Sequence, residues 1–205
     1  MKLIICGHGR HGKDAVAKYL NVNHKFNFTG TSMFLVKLFL FDALKEKYRY
    51  SDEIECYIDR HNHRKEWFNL ITEYTSKDST RISKEIFKKE DLFVGVRNKK
   101  EFEAAKHLAT ATIWVDRSEH LPAEDISSNE ITEEMCDFTI DNNGSLEELY
   151  LNIEKLLIKL DMLKASNCLL EDFEMLDSGE WVPDSYSIEL SVDNVLKLQY
   201  YIKQK

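Results

Sequence analysis

Cys6 to Val16 reads CGHGRHGKDAV. Three of the chain's seven glycines, Gly7, Gly9 and Gly12, lie within six residues, and Lys13 follows directly. Glycines spaced this way let successive backbone N–H groups turn inward around an anion. The lysine adds a full positive charge. Together they predict a phosphate loop of the form G-x-x-x-x-G-K. Gly7, His8, Gly9, Arg10, His11, Gly12, Lys13, Asp14 and Ala15 would surround the phosphates of a nucleotide such as ATP. The pattern places serine or threonine after the lysine, as a neutral magnesium ligand, and Asp14 stands there instead. A carboxylate also suits magnesium, so Asp14 is expected to contact Mg²⁺ directly or through water. A tight strand-to-helix turn without a ligand would use the same glycines. The loop works through its backbone, so the side chains of His8 and His11 are expected to be tolerated rather than required.

A second unusual stretch is DRHNHRKEW, Asp59 to Trp67. On one helix, Arg60, His63, Arg64 and Trp67 would share a face. Two guanidiniums there would clamp the phosphate of a nucleoside monophosphate, and Trp67 would stack on its base. Arg81 is a further candidate. The alternative is a solvated face, with Arg60 and Arg64 paired to acids and Trp67 in the core. Zinc at His61 and His63 is a weaker reading, since helical residues two apart point to different sides. Thr31 and Ser32 would contact the monophosphate or cap a helix. Trp114 and Trp181 are expected to pack.

These residues need elements to hold them. Lys2 to Cys6 predicts a short buried strand ended by glycine, and Lys13 to about Val22 an amphipathic helix. Phe26–Phe28 reads as a second short strand. A helix is expected over 32–48, one or two more over 52–75, and another over 79–87. Leu92–Val96 and Ala111–Val115 read as buried strands, with Asn98 capping a helix between them. Residues 117–135 are polar and read as a loop. Phe138–Ile140 is a short strand. Ser145 and Glu148 then form a capping box, and Leu146, Leu149, Ile153, Leu156, Leu157 and Leu160 mark an apolar stripe. Alternating strands and helices predict an α/β fold: three layers, a mostly parallel central sheet, and helices on both faces. The first strand would be central, with the glycine cluster at its carboxyl end, where such sheets bind ligands. Residues 165–190 break the rhythm, and 192–203 would be a final short helix.

The chain has 205 residues, 43% of them hydrophobic, and a formal net charge of −8. That is enough for a sizeable core and speaks against nonspecific binding to nucleic acid. Residues 165–205 carry −5 of the total, from eight acids and three bases. Cys6, Cys56, Cys136 and Cys168 lie far apart and form no CxxC pair, which predicts reduced thiols rather than zinc or disulfides. No signal peptide and no apolar run of membrane-spanning length is evident, so a cytoplasmic location away from membranes is expected.

The sequence resembles the deoxynucleoside monophosphate kinases of tailed bacteriophages, within the adenylate-kinase-like group of P-loop kinases. Their loop also tends to read G-K-D. DFTIDNNGSLEELYLNIEKLL, Asp137 to Leu157, is similar to the family's last strand and helix. VRNKKEFEAAK, Val96 to Lys106, is similar to its strand end, arginine and following helix. The resemblance covers about residues 1–160. It implies a P-loop NTPase-type sandwich over 1–163, with a monophosphate-binding helical region at about 30–90 and a short lid at about 117–133. An acidic appendage, 164–205, would follow. The resemblance also implies transfer of the γ-phosphoryl group of ATP to a (deoxy)nucleoside monophosphate, with Mg²⁺, in the cytoplasm of a host cell if phage-encoded. Lys13, Arg97 and Arg117 would be the catalytic cations. Two departures stand out. Gly95 occupies a position where the family often has aspartate, and Arg117 is the lid's only arginine. They keep two alternatives open: a catalytically impaired nucleotide-binding interaction protein, and a kinase of another small acceptor such as dephospho-coenzyme A. The appendage leaves room for a homodimer or a protein partner.

Overall fold

The structure is a computed structural model that describes residues 1–125, 129–171, 173–175 and 181–183. Leu3–Cys6 forms β1, and all four of its residues are fully buried. A branched apolar run with no polar alternation requires cover on both faces, as in parallel sheets. β1 pairs in parallel with β2 (Leu92–Val94) on one side and β3 (Ala111–Asp116) on the other. β4 (Phe138–Asp141) adds to β3, also parallel, giving the order β2-β1-β3-β4. β1 is therefore central, and the fold is α/β.

Helix α1 (Lys13–His24) follows the glycine loop and buries Val16, Ala17 and Leu20. A continuous helical run then covers 31–48: α2 (Thr31–Leu35), a π-helical stretch Val36–Leu40, and α3 (Phe41–Tyr48). Next come α4 (Glu53–Asp59), α5 (Arg64–Thr75) and α6 (Arg81–Lys89). On one face of the sheet, Ile4, Cys6, Phe93 and Trp114 join a core with Phe34, Leu40, Trp67, Ile86 and Phe102. Phe102 belongs to α7 (Lys99–Lys106), whose first turn is capped by the Asn98 side chain accepting from Glu101 N–H at 3.0 Å.

Two expectations change here. Phe26–Phe28 is not a strand; Asn27 accepts backbone bonds from Asp91 and Leu92 but forms no ladder. Residues 60–63 form a turn, not part of a helix. The Asp59 carboxylate ties that turn down by accepting from Tyr50 Oη at 2.7 Å and from Asn62 at 2.6 Å.

The closing helix, α8 (Leu146–Glu171), begins at the expected capping box: Ser145 N–H donates to Glu148, and Glu148 N–H donates to Ser145 Oγ at 3.2 Å. Of the expected stripe, Leu149, Ile153, Leu156 and Leu160 are buried, while Leu146 is exposed. The helix runs into the region expected to be irregular. The chain divides into compact units Met1–Tyr150 and Leu151–Lys205, so the division falls within α8, ahead of the boundary expected after residue 163. The second unit also holds an antiparallel pair, β5 (Phe173–Met175) and β6 (Trp181–Pro183). The expected helix over 192–203 lies outside the described residues.

Candidate functional site

The loop between β1 and α1 is held open by two glycines in left-handed or extended-positive conformations. Gly7 has φ +139°, and a Cβ there would lie 2.6 Å from the Val115 carbonyl oxygen. Gly12 caps α1 at φ +101°, with the Asn142 side-chain amide in the space a Cβ would need. Neither position admits a side chain without strain. Between them Arg10 takes φ +65°.

Lys13 reaches back over the loop, donating to Gly7 O at 2.8 Å and His8 O at 2.5 Å. Burial, and then the nearby Arg97 charge, lower its ammonium from the ordinary lysine range; Glu124 and Asp14 oppose them. The loop's anion partner is a protein carboxylate. Glu124 accepts from Gly9 N–H at 2.6 Å and from Arg97 Nη1 at 2.9 Å. Burial works to raise the Glu124 carboxyl, but the bonds from Arg97 and Gly9 and the charges of Arg97 and Lys13 outweigh it and hold it low. Residues far apart in the chain thus converge on one negative group, at the carboxyl end of the central strands.

Both histidines do more than line the loop. His8 Nδ1 accepts from Glu124 N–H at 3.2 Å; burial, and then neighbouring His11, lower its ring below the ordinary histidine value. His11 is fully buried, its Nδ1 accepts from Arg117 N–H at 3.0 Å, and its carbonyl accepts from Asn142. His11 thus links the loop to the chain just beyond the ends of β3 and β4. Nothing in its local sequence signals this, because the partners lie more than a hundred residues away. Arg117 joins the same link, its guanidinium donating to Asn142 O at 3.3 Å. The expected lid is tied to the site at both described ends, by Glu124 and by Glu130 N–H donating to Arg97 O at 2.9 Å; residues 126–128 lie outside the described residues.

Asp14, in the first turn of α1, is exposed. Among the described residues no cluster of three or more His, Cys, Asp or Glu is arranged to hold a metal. A magnesium ion that keeps its waters and takes phosphate oxygens needs only one or two carboxylates, and Asp14 fits that demand.

A cavity of about 430 Å³ adjoins Arg97 and Gly95, within the usual size of a small-molecule site. Thr31 lies on its wall, with its hydroxyl committed to Val94 O at 2.7 Å. The residues expected to clamp a monophosphate do not gather there. Arg60 lies in the 60–63 turn, donates to Tyr57 O at 2.9 Å and sits over the Tyr57 ring. Arg64 contacts His61 Nδ1 at 3.0 Å on the surface. Arg81 packs on Tyr74, 3.8 Å from the ring centroid. Trp67 is 7% exposed and belongs to the core, so it presents no stacking face. The common-face arrangement failed because a turn separates Arg60 from Arg64.

Cys6, Cys56 and Cys136 are free thiols. The hydrogen bond with Cys136, together with burial, pushes the Cys6 thiol well up, which makes it unreactive in this setting. Trp114 packs in the core as expected. No helix among the described residues is long and apolar enough to cross a membrane. No protein-family model matches the chain, and comparison with curated proteins finds no match.

Proposed function

We propose that this chain is a P-loop kinase that transfers the γ-phosphoryl group of ATP to a nucleoside monophosphate, deoxy forms included. One observation carries the proposal: Gly9 N–H, Arg97 and the charge of Lys13 converge on a single anion, the Glu124 carboxylate. A triphosphate entering the loop would displace Glu124 and inherit those partners. Backbone N–H groups and the start of α1 would cradle the β-phosphate, and Lys13 would bridge toward the γ-phosphate. Arg97, between the loop and the 430 Å³ cavity, would hold the acceptor phosphate against it. An acceptor phosphate oxygen forms the new bond to the γ-phosphorus as the bond to the ADP oxygen breaks. Such catalysis is positioning and charge neutralisation. Asp14 would hold Mg²⁺, which supplies further charge neutralisation when bound.

A second reading is a nucleotide-binding protein without turnover. It is favoured by the carboxylate already seated in the loop and by Gly95, which brings no acid beside Lys13. A coupled assay of ADP release with ATP and Mg²⁺, over ribo- and deoxynucleoside monophosphates, separates the two. Turnover that needs a monophosphate and is lost in Lys13→Ala supports the kinase. ATP binding without turnover on any of them supports the binding protein.

A further inference from the structure

The cavity beside Arg97 contains one acid that phosphate chemistry leaves without a task. Glu101 stands in the first turn of α7, one turn beyond Arg97, and lines the cavity. It is half-buried, and among the described residues no donor reaches its carboxylate. Its neighbours differ. Glu124 and Glu130 are both engaged, Glu130 by Asn98 and by Lys99 N–H. Burial alone pushes the Glu101 carboxyl up to about 7. A carboxylate offers acceptors only, and this one, half-buried and without a protein donor among the described residues, is open to a ligand that brings donors.

The walls indicate what kind of ligand. Phe68 is 68% exposed and faces the cavity, while Phe93 forms part of the buried wall. The hydroxyls of Thr72 and Thr75, also on the wall, are committed to the carbonyls of Phe68 and Ile71 in their own helix. A mainly apolar slot with an aromatic face and an unpartnered carboxylate, with Ser79 and Lys100 also on its wall, suits a flat heteroaromatic ring. A carboxylate is matched best by two donors side by side. Guanine offers them at N1–H and its exocyclic amino group. Thymine offers one N–H flanked by two carbonyl oxygens, and each oxygen facing the carboxylate would be repelled.

Resting on the acceptor site proposed above, we propose that Glu101 selects the base of the acceptor, favouring guanine over thymine, with Phe68 as the stacking face. The test is equilibrium binding by titration calorimetry, on the full chain, of the four deoxynucleoside monophosphates and, separately, ATP. Deoxyguanosine monophosphate is expected to bind at least about ten-fold more tightly than the thymidine compound. Glu101→Ala is expected to abolish that preference by weakening guanine binding and relieving the repulsion of thymine, so that the two nucleotides bind alike, with ATP binding unchanged; the unchanged ATP value also shows that the variant is folded. Equal binding of the two nucleotides by the wild type, or a preference that survives in Glu101→Ala, overturns the selection by Glu101 and leaves the acceptor site standing. If ATP binds and no monophosphate does, the acceptor site itself fails and this proposal falls with it.

Discussion

Replacing Glu124 by glutamine removes the negative charge that the loop now holds and keeps the side chain's size. In the wild type, an incoming triphosphate has to release that carboxylate from Gly9 N–H at 2.6 Å and from Arg97 at 2.9 Å. A hydrogen bond to a charged group contributes roughly 1.5–3 kcal/mol. The Arg97 side chain is 47% exposed, and an ion pair so accessible to water adds less than about 1 kcal/mol. The competing interaction is therefore about 2 kcal/mol. Glutamine keeps a neutral acceptor for Gly9, so the expected gain is about 1–2 kcal/mol, or about 5–30-fold tighter ATP binding. Titration calorimetry of ATP against wild type and Glu124→Gln, at fixed magnesium and two salt concentrations, measures it. The gain is expected to shrink at the higher salt. Unchanged or weaker ATP binding in Glu124→Gln would refute the idea that this carboxylate occupies a phosphate position.

Gly7→Ala drives a Cβ to within 2.6 Å of Val115 O at φ +139°; a loss of about 2–3 kcal/mol in urea denaturation is expected, and wild-type stability would contradict the tight approach. His11→Ala leaves the Arg117 N–H without its acceptor, and a loss of about 1–3 kcal/mol is expected by the same measurement; no loss would mean that the link is not structural. Glu101, with its carboxyl raised to about 7 in the fold against an ordinary 4.5, binds protons more strongly folded than unfolded. Its contribution to stability is thus most favourable below pH 4.5 and is lost as pH rises toward about 7. The full gap corresponds to about 3 kcal/mol, reduced to about 2 by solvent around the half-buried side chain. Glu101→Gln is therefore expected to gain on wild type in melting temperature between pH 5 and pH 8, and a pH-independent difference would contradict the desolvation.

Local signals were legible in the chain. The branched run before a glycine cluster yielded β1, the loop and α1 because strand, turn and helix chemistry sit side by side there. Asn98 and the Ser145–Glu148 pair announced their helices through spacing alone. Long-range geometry was not legible. The break at 60–63, beside an Asp59 carboxylate that accepts from distant Tyr50, separates arginines whose spacing would suit one helical face. Glu124 looked like one acid among several in a polar loop; only the fold brings it to Gly9, 115 residues away. His11 was hidden for the same reason, since Arg117 and Asn142 reach it across the sheet. Glu101 stood as one charged residue among several in the helix that Asn98 caps; only the fold places it on a cavity wall.

The most direct test of the proposed phosphoryl transfer is phosphorus NMR of the full chain incubated with ATP, magnesium and an equimolar mixture of nucleoside monophosphates. The expected result is the appearance of ADP and a second nucleoside diphosphate in equal amounts, with no build-up of inorganic phosphate and no reaction in Lys13→Ala. Inorganic phosphate in place of the second diphosphate, or an unchanged spectrum under conditions where ATP is bound, would contradict it.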